Sequence, residues 1–344
     1  MTDLCWSLET SDLEAPGIRR TRSGRGFRYL GPDGKPVRDV VTKDRIKALV
    51  IPPAWADVWI CPDPAGHIQA TGTDAAGRRQ YLYHAEWRRK QDQRKHERAL
   101  AFGARLPTIR SAVERDLGLR GLSKSRVAAA AVRLIDLGFF RPGGTEYAEE
   151  NGSYGLTTIR RGHVRRRAGQ LLFDYPGKSG KQQEAAVADP DVMAVITALR
   201  RRRNADQTLL AYRDCPTWRD LTATDINDYL RQAGGEDFTA KDFRTWHATV
   251  LAAVALAVSE HADQTPASRN RAIVRAVREV ADYLGNTPAV ARASYIDPRV
   301  IDRYERGVTI SRVLADLGDD AEPGDLATHG SAERALLNLL TKPA

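Results

Sequence analysis

The feature that most constrains the fold is a change of hydrophobic period close to residue 88. Before it, the chain offers short runs in which apolar and polar residues alternate, broken by Gly, Pro and Asp: residues 26–39 around the turn Gly31-Pro-Asp-Gly34, then 56–61, 67–72 and 79–83. Alternation at period two puts successive side chains on opposite faces, so these runs are expected to be short antiparallel strands, the first of them a hairpin. From Glu86 the chain reads EWRRKQDQRKHERALAF with no Gly or Pro before Gly103, as an exposed helix or helical connector would. Beyond it, apolar residues recur three and four apart over 108–117, 123–137, 191–202, 224–233, 241–261 and 267–284, the spacing of helices. One extended interruption covers 156–159, 163–166, 170–175 and 182–187, with Pro176-Gly-Lys-Ser-Gly-Lys181 between the last two. It predicts a three-stranded sheet whose hairpin tip carries Lys178.

At 344 residues the chain exceeds what one core organises. The expectation is an α+β protein of two domains, a small antiparallel β-sheet domain over 1–88 and a larger, mainly helical domain with a three-stranded sheet over 89–344. No run of eighteen apolar residues is present, and the acidic start MTDLCWSLETSDLE lacks a basic-then-apolar leader, so the expected location is the cytoplasm, with no membrane span. Cys5, Cys61 and Cys215 are odd in number, far apart and without CxxC spacing, which points away from disulfide frameworks and structural zinc alike. The balance of 53 Lys and Arg against 44 Asp and Glu, a net +9, makes polyanions natural partners.

Absent motifs narrow the chemistry. There is no GxxxxGK[ST] phosphate loop, no HExxH and no GxSxG, so neither nucleotide-driven nor metal-catalysed chemistry is expected, and no cofactor. What stands out is a set of cations where helices prefer apolar residues. Arg133 lies within the Ala- and Val-rich 125–137 and needs an anion; an internal pair with Asp136 is one answer. Lys241 and Arg244 share a face just after the N-cap Thr239, where two cations oppose the helix dipole unless an external anion compensates or Asp242 neutralises them. Lys178 sits on a hairpin tip, free to reach a ligand or to remain solvated. Tyr304 fits a packing stripe with Val300 and Ile301. Tyr295 does not: it stands between a short helix begun by Thr287-Pro288 and the next begun by Asp297-Pro298, a break from which a side chain can reach a substrate.

In chain order Arg133, Lys178, Lys241-x-x-Arg244, Asn286 and Tyr295 compose a pattern that resembles the type IB DNA topoisomerases, in particular the small poxvirus-like branch of viruses and bacteria. The resemblance extends over nearly the whole chain, including Ile51-Pro-Pro-Ala-Trp55, His67-Ile-Gln-Ala-Thr-Gly72 and Gly77-Arg-Arg-Gln-Tyr-Leu-Tyr-His84; its most specific blocks are FTAKDFRTWHA and NTPAVARASYID. It implies a monomeric two-domain clamp on duplex DNA that uses no nucleotide. Tyr295 would attack a phosphodiester and form a 3′-phosphotyrosyl bond while the 5′-hydroxyl leaves. Arg133 and Arg244 would hold the non-bridging oxygens, Lys178 would act as general acid and Lys241 would assist it. Relatives typically carry His where this chain has Asn286; an amide can donate the same hydrogen bond to phosphate but carries no charge. In the first domain the resemblance implies that Arg79, Gln80, Tyr81 and Tyr83 face a DNA groove, whereas a buried strand face is the other reading of the two tyrosines.

Two rivals remain. Tyrosine recombinases share the chemistry but usually carry His-x-x-Arg where this chain has Lys241-x-x-Arg244, and their N-terminal domain is generally helical. A non-catalytic DNA clamp would track phosphates without needing a tyrosine at that break.

Overall fold

A computed structural model describes residues 8–138, 140–143, 152–177, 180–203, 207–259, 265–314 and 329–342. The chain divides into two compact units, Met1–Lys95 and His96–Ala344.

The first unit is a five-stranded antiparallel sheet of order β2-β1-β3-β4-β5, built from β1 (Ile18–Ser23), β2 (Gly26–Leu30), β3 (Ala56–Ile60), β4 (Ile68–Thr73) and β5 (Arg79–Tyr83). Helix α1 (Val40–Ala48) lies between β2 and β3 in sequence and is capped by Asp39, whose carboxylate accepts from the Thr42 N–H at 2.7 Å. Ile46 from this helix joins Ile18, Val58, Ile60 and Ala70 in a small core. The hairpin differs from the expected one. Residues Gly26–Leu30 pair upstream with Ile18–Ser23, and beyond the Gly31–Gly34 turn only the bridge Leu30 to Pro36 forms. Pro36 has no N–H to extend a ladder, and Asp39 then starts a helix. That helix buries Ile46 while Val40 and Val41 stay exposed, so its sequence carries almost no helical stripe.

Helix α2 (Ala85–Leu117) begins in the first unit and ends in the second. It is one element of 33 residues rather than a connector and a separate helix. Its stripe Phe102, Leu106, Ile109, Val113, Leu117 is buried at spacings of three and four, and Pro107 is accommodated within it. Helix α3 (Lys124–Asp136) starts at the N-cap Ser123 and buries every residue from Val127 to Val132. Next come β6 (Val164–Arg167), β7 (Gln170–Pro176) and β8 (Gln182–Val187), an antiparallel sheet of order β6-β7-β8 as expected. Residues 156–159 are not extended. They form a buried turn whose Leu156 and Thr157 N–H groups donate to the carbonyls of Arg141 and Pro142 at 2.7 and 2.8 Å.

The remaining elements are α4 (Pro190–Arg200), a short hairpin of β9 (Ala211–Asp214) and β10 (Thr217–Asp220), α5 (Ala223–Gly234), α6 (Ala240–Val258), α7 (Pro266–Leu284), α8 (Pro288–Ser294), α9 (Pro298–Glu305) and α10 (Ser331–Thr341). Helix α3 packs on α4, α5 and α6 at the centre of the core. The β9–β10 hairpin and α10 were not legible in the sequence; strands of four residues are too short to show a period, and α10 follows the acidic, Gly-containing segment.

A buried ionic network ties these helices together. Arg110 of α2 donates to both oxygens of Asp136 at 2.8 and 2.9 Å and to both oxygens of Glu333 at 2.6 and 3.1 Å, and Trp246 Nε1 donates to Glu333 at 2.9 Å. Burial alone would raise the Asp136 carboxyl, but the hydrogen bonds from Arg110 and the approach of His247 outweigh it and hold the group well below the usual carboxylate range. Asp136 is therefore the partner of Arg110 and not, as one sequence reading had it, of Arg133.

Helices α2 and α6 approach closely at Gly103: a Cβ there would lie 2.5 Å from two ring atoms of Trp246. Gly103→Val should destabilise the second unit by roughly 1–3 kcal/mol through overpacking. Chemical denaturation followed by tryptophan fluorescence measures this, and an unchanged midpoint would contradict the account.

Candidate active site

The site is assembled at the end of α7. Gly285 caps this helix with φ 60° and ψ 43°, a left-handed conformation that favours glycine, and the Asn286 N–H turns back to the Ala281 carbonyl at 2.9 Å. Thr287 then caps α8, with Pro288 in its first turn, as the sequence indicates. Helix α8 lasts seven residues and Tyr295 is its C-cap, the N–H donating to the Ala291 carbonyl at 3.0 Å.

The backbone on both sides of Tyr295 is fixed. The Thr249 hydroxyl of α6 accepts from the Asp297 N–H at 3.3 Å, and its one proton is shared between the Thr245 carbonyl at 2.9 Å and the Tyr295 carbonyl at 3.2 Å. Ile296 is buried in the core, and Asp297, also buried, caps α9 and receives the Arg299 guanidinium at 2.6 Å. The Tyr295 side chain is half-buried, packed at the margin of the core. Tyr304 lies within the core, as its stripe predicts.

Two arginines converge on this break. Arg244 donates to the Leu284 carbonyl at 2.8 Å and its guanidinium carbon lies 5.5 Å from the centroid of the Tyr295 ring. Arg141 donates to the same Leu284 carbonyl at 2.7 Å and to that of Gly285 at 3.2 Å. Like charges sharing one acceptor repel. The exposed carbonyls at the C-terminus of α7 carry the negative end of its dipole and offset part of that cost. The Arg244 pKa falls below the ordinary arginine value, first through burial and then through the Arg141 charge, against the opposing influence of Tyr295 and Tyr283. Among the described residues neither Arg141 nor Arg244 forms an ion pair with a carboxylate. A half-buried cationic pair with only neutral carbonyl partners is a seat for an anion.

The sequence reading placed Arg133 in this role, and the structure places it elsewhere. Arg133 Nε donates to Asp189 at 2.8 Å, and Asp189 in turn caps α4 through the Val192 N–H at 3.0 Å. Asp189 is thus the anion that Arg133 required. The arginine beside Arg244 is Arg141, which sequence reasoning missed because it belongs to no periodic element. The signal was available: Arg141 stands between Phe140, which is buried, and Pro142-Gly143, with no acidic residue between Asp136 and Glu146 in the sequence.

Asn286 supplies a third polar group. The residue is half-buried, and its side-chain Nδ2 is shielded from solvent without a hydrogen-bond partner among the described residues, a donor ready for an acceptor that arrives with a ligand. Lys241 is exposed in the first turn of α6, one turn before Arg244. Neutralisation of these two by Asp242 is not what forms. Asp242 receives Arg98 at 2.8 and 2.9 Å and accepts from the Thr239 N–H and hydroxyl. Tyr283 adds a second phenol next to Arg244, pushed up to about 12 by burial. Lys178 lies outside the described residues; the flanking Gly177 N–H donates to the Lys181 carbonyl at 2.8 Å.

In the first unit, Arg79, Tyr81 and Tyr83 occupy the exposed face of β5, the terminal strand of its sheet, and the two phenol rings stack at 6.2 Å. This removes the buried-face reading of the tyrosines. Gln80 falls on the opposite face with Leu82, and its amide donates to Asp74 at 2.9 Å.

Comparison with known proteins gives the family. Residues 84–312 match the family described as eukaryotic DNA topoisomerase I, catalytic core, and residues 26–74 match bacterial DNA topoisomerase IB, N-terminal domain. A protein of Acanthamoeba polyphaga mimivirus, named DNA topoisomerase 1B, is 32% identical over 301 residues, covering 84% of this chain and 88% of the relative.

The Thr249 contact is testable apart from any activity. Thr249→Val keeps the shape but removes a hydroxyl that serves the backbone on either side of Tyr295, leaving buried polar groups unpaired at a cost of about 1–3 kcal/mol. A lowered thermal midpoint is expected, and an unshifted one would show that the hydroxyl does not hold the segment.

Proposed function

Because the chain belongs to the type IB DNA topoisomerase family, an isomerase family acting on duplex DNA, we propose that it relaxes supercoiled DNA by transient cleavage of one strand through Tyr295. The observation that carries this reading is the pair Arg141 and Arg244, two guanidiniums on one carbonyl with no carboxylate partner among the described residues, of which Arg244 lies against a tyrosine whose backbone is pinned.

In this mechanism the Tyr295 hydroxyl releases its proton to solvent water as its oxygen bonds to phosphorus, and the bond from phosphorus to the 5′-oxygen breaks. Negative charge grows on the non-bridging oxygens in the transition state. Arg141 and Arg244 face that charge from fixed positions, so little reorganisation is needed at the moment of reaction. The Asn286 amide contributes a neutral hydrogen bond to one of those oxygens. The departing 5′-oxygen takes a proton from Lys178, with Lys241 assisting, roles that rest on resemblance. The phosphotyrosyl ester retains the energy of the broken linkage, so attack by the 5′-hydroxyl reseals the strand without ATP, and the two guanidiniums supply the charge that a metal ion would otherwise provide. In the first unit, Arg79, Tyr81 and Tyr83 offer a cationic and aromatic surface to the duplex, with Gln80 less available because Asp74 holds it.

Tyr295→Phe should abolish both relaxation of supercoiled plasmid and the covalent protein–DNA adduct, while Tyr304→Phe retains both; an adduct formed by Tyr295→Phe would overturn the assignment. Arg141→Ala and Arg244→Ala should each slow single-turnover cleavage by about 10²-fold or more. Arg133→Ala should act instead through stability, by releasing Asp189. Asn286→Ala should lower cleavage and Asn286→His should largely keep it. Equal losses in cleavage for Arg133→Ala and Arg141→Ala, at equal melting temperature, would refute the exchange of roles.

A further inference from the structure

The buried polar cluster where α3, α6 and the segment before α10 meet contains more donor atoms than the ionic network uses. His247, 3% exposed, lies on α6 three residues after Arg244, and its Nε2 is sealed from solvent without a hydrogen-bond partner although Asp136 Oδ1 is 3.3 Å away. His329, immediately before α10, brings its Nε2 to 3.9 Å from the same oxygen. The imidazoles stack with centroids 5.7 Å apart, and the three donor atoms all lie within 4.8 Å of one another.

We propose that Asp136, His247 and His329 form a binding site for a divalent first-row transition ion of the zinc class, with a structural role. Two imidazoles and one carboxylate are a donor set that suits zinc and its neighbours and suits magnesium or calcium poorly. Bonds of about 2.0–2.1 Å in a tetrahedral arrangement separate neighbouring ligand atoms by roughly 3.3 Å. The His247–Asp136 edge already has that length. The His329 edges, 3.9 Å to Asp136 and within 4.8 Å to His247, must both close toward that length, and His329 can move because it stands outside the regular helices with its side chain 23% exposed. Its exposed side leaves the fourth position to water.

The surroundings are those a ligating carboxylate needs. Arg110 holds Asp136 through both oxygens and so orients it, as outer partners do for metal ligands. Glu333 on the same guanidinium adds a second carboxylate to the cluster, so its negative charge is not balanced by Arg110 alone. His329 comes from beyond residue 312, where the catalytic-core family match ends. An ion there joins the C-terminal segment to the helix that carries Lys241 and Arg244, and it takes no part in attack on DNA.

The test uses the full-length protein purified without chelator, loaded with Zn²⁺, dialysed, and assayed for metal by mass spectrometry and for melting temperature. One zinc per chain is expected, with a melting temperature raised by Zn²⁺, lowered again by chelator and unmoved by Mg²⁺. Loading with Co²⁺ should give the visible absorption of a four-coordinate site. His329→Ala should melt like the metal-free wild type yet lose the bound zinc and the Co²⁺ band; His247→Gln is the second variant. Zinc content that is far below one per chain, or the same in wild type and His329→Ala, overturns the proposal. So does a melting temperature indifferent to Zn²⁺, which would mean that the Arg110 network alone satisfies the cluster.

Discussion

The site depends on one unfavourable contact made tolerable: two guanidiniums, Arg141 and Arg244, meeting at the carbonyl of Leu284. Each arrives from a different element. Arg244 comes from the first turns of α6, and Arg141 from a segment anchored by buried Phe140 and by the N–H groups of Leu156 and Thr157. The acceptor they share exists because Gly285 ends α7 at that point and leaves its last carbonyls exposed. Helix dipole and aromatic face attract the cations while their mutual repulsion keeps the arrangement short of neutral. The imbalance favours an anion beside the pair, which is the property that the proposed reaction needs.

Much of this was legible in the sequence, and the reasons differ by element. Thr287-Pro288 and Asp297-Pro298 are local capping signals, which is why Tyr295 could be placed at a break between helices from text alone. Lys241 and Arg244 were legible because a helix fixes their common face. Arg133 was misread because a buried arginine announces only that it needs an anion, and Asp189, 56 residues away in the chain, cannot be seen from a helical window. Arg141 was overlooked for the converse reason: it lies in an irregular segment where no period marks a residue as unusual. The same distinction holds for the fold. The three strands Val164–Arg167, Gln170–Pro176 and Gln182–Val187 alternate and were found, whereas α1 buries one isoleucine and shows almost no stripe.

The second unit is held by long-range polar contacts as much as by its apolar core. Arg110 links α2 to α3 and to α10, and Trp246 reaches Glu333 from α6, so four helices share one set of charges. Removing one member leaves buried charges without partners, which costs more than an equivalent apolar contact. Helix α10 is therefore part of the framework behind the cationic site, although it lies beyond the matched core.

The position of β5 at the end of its sheet has a consequence for the protein before it meets DNA. A terminal strand presents an unpaired row of backbone groups, and one that also displays stacked tyrosines is a template for adhesion between chains. Arg79 stands at the start of this strand, while Arg78 before it is paired with Asp74 at 2.9 Å. The charge of Arg79 makes strand-to-strand approach by a second copy costly and leaves the edge open to anions, so one side chain sorts what can lie against it.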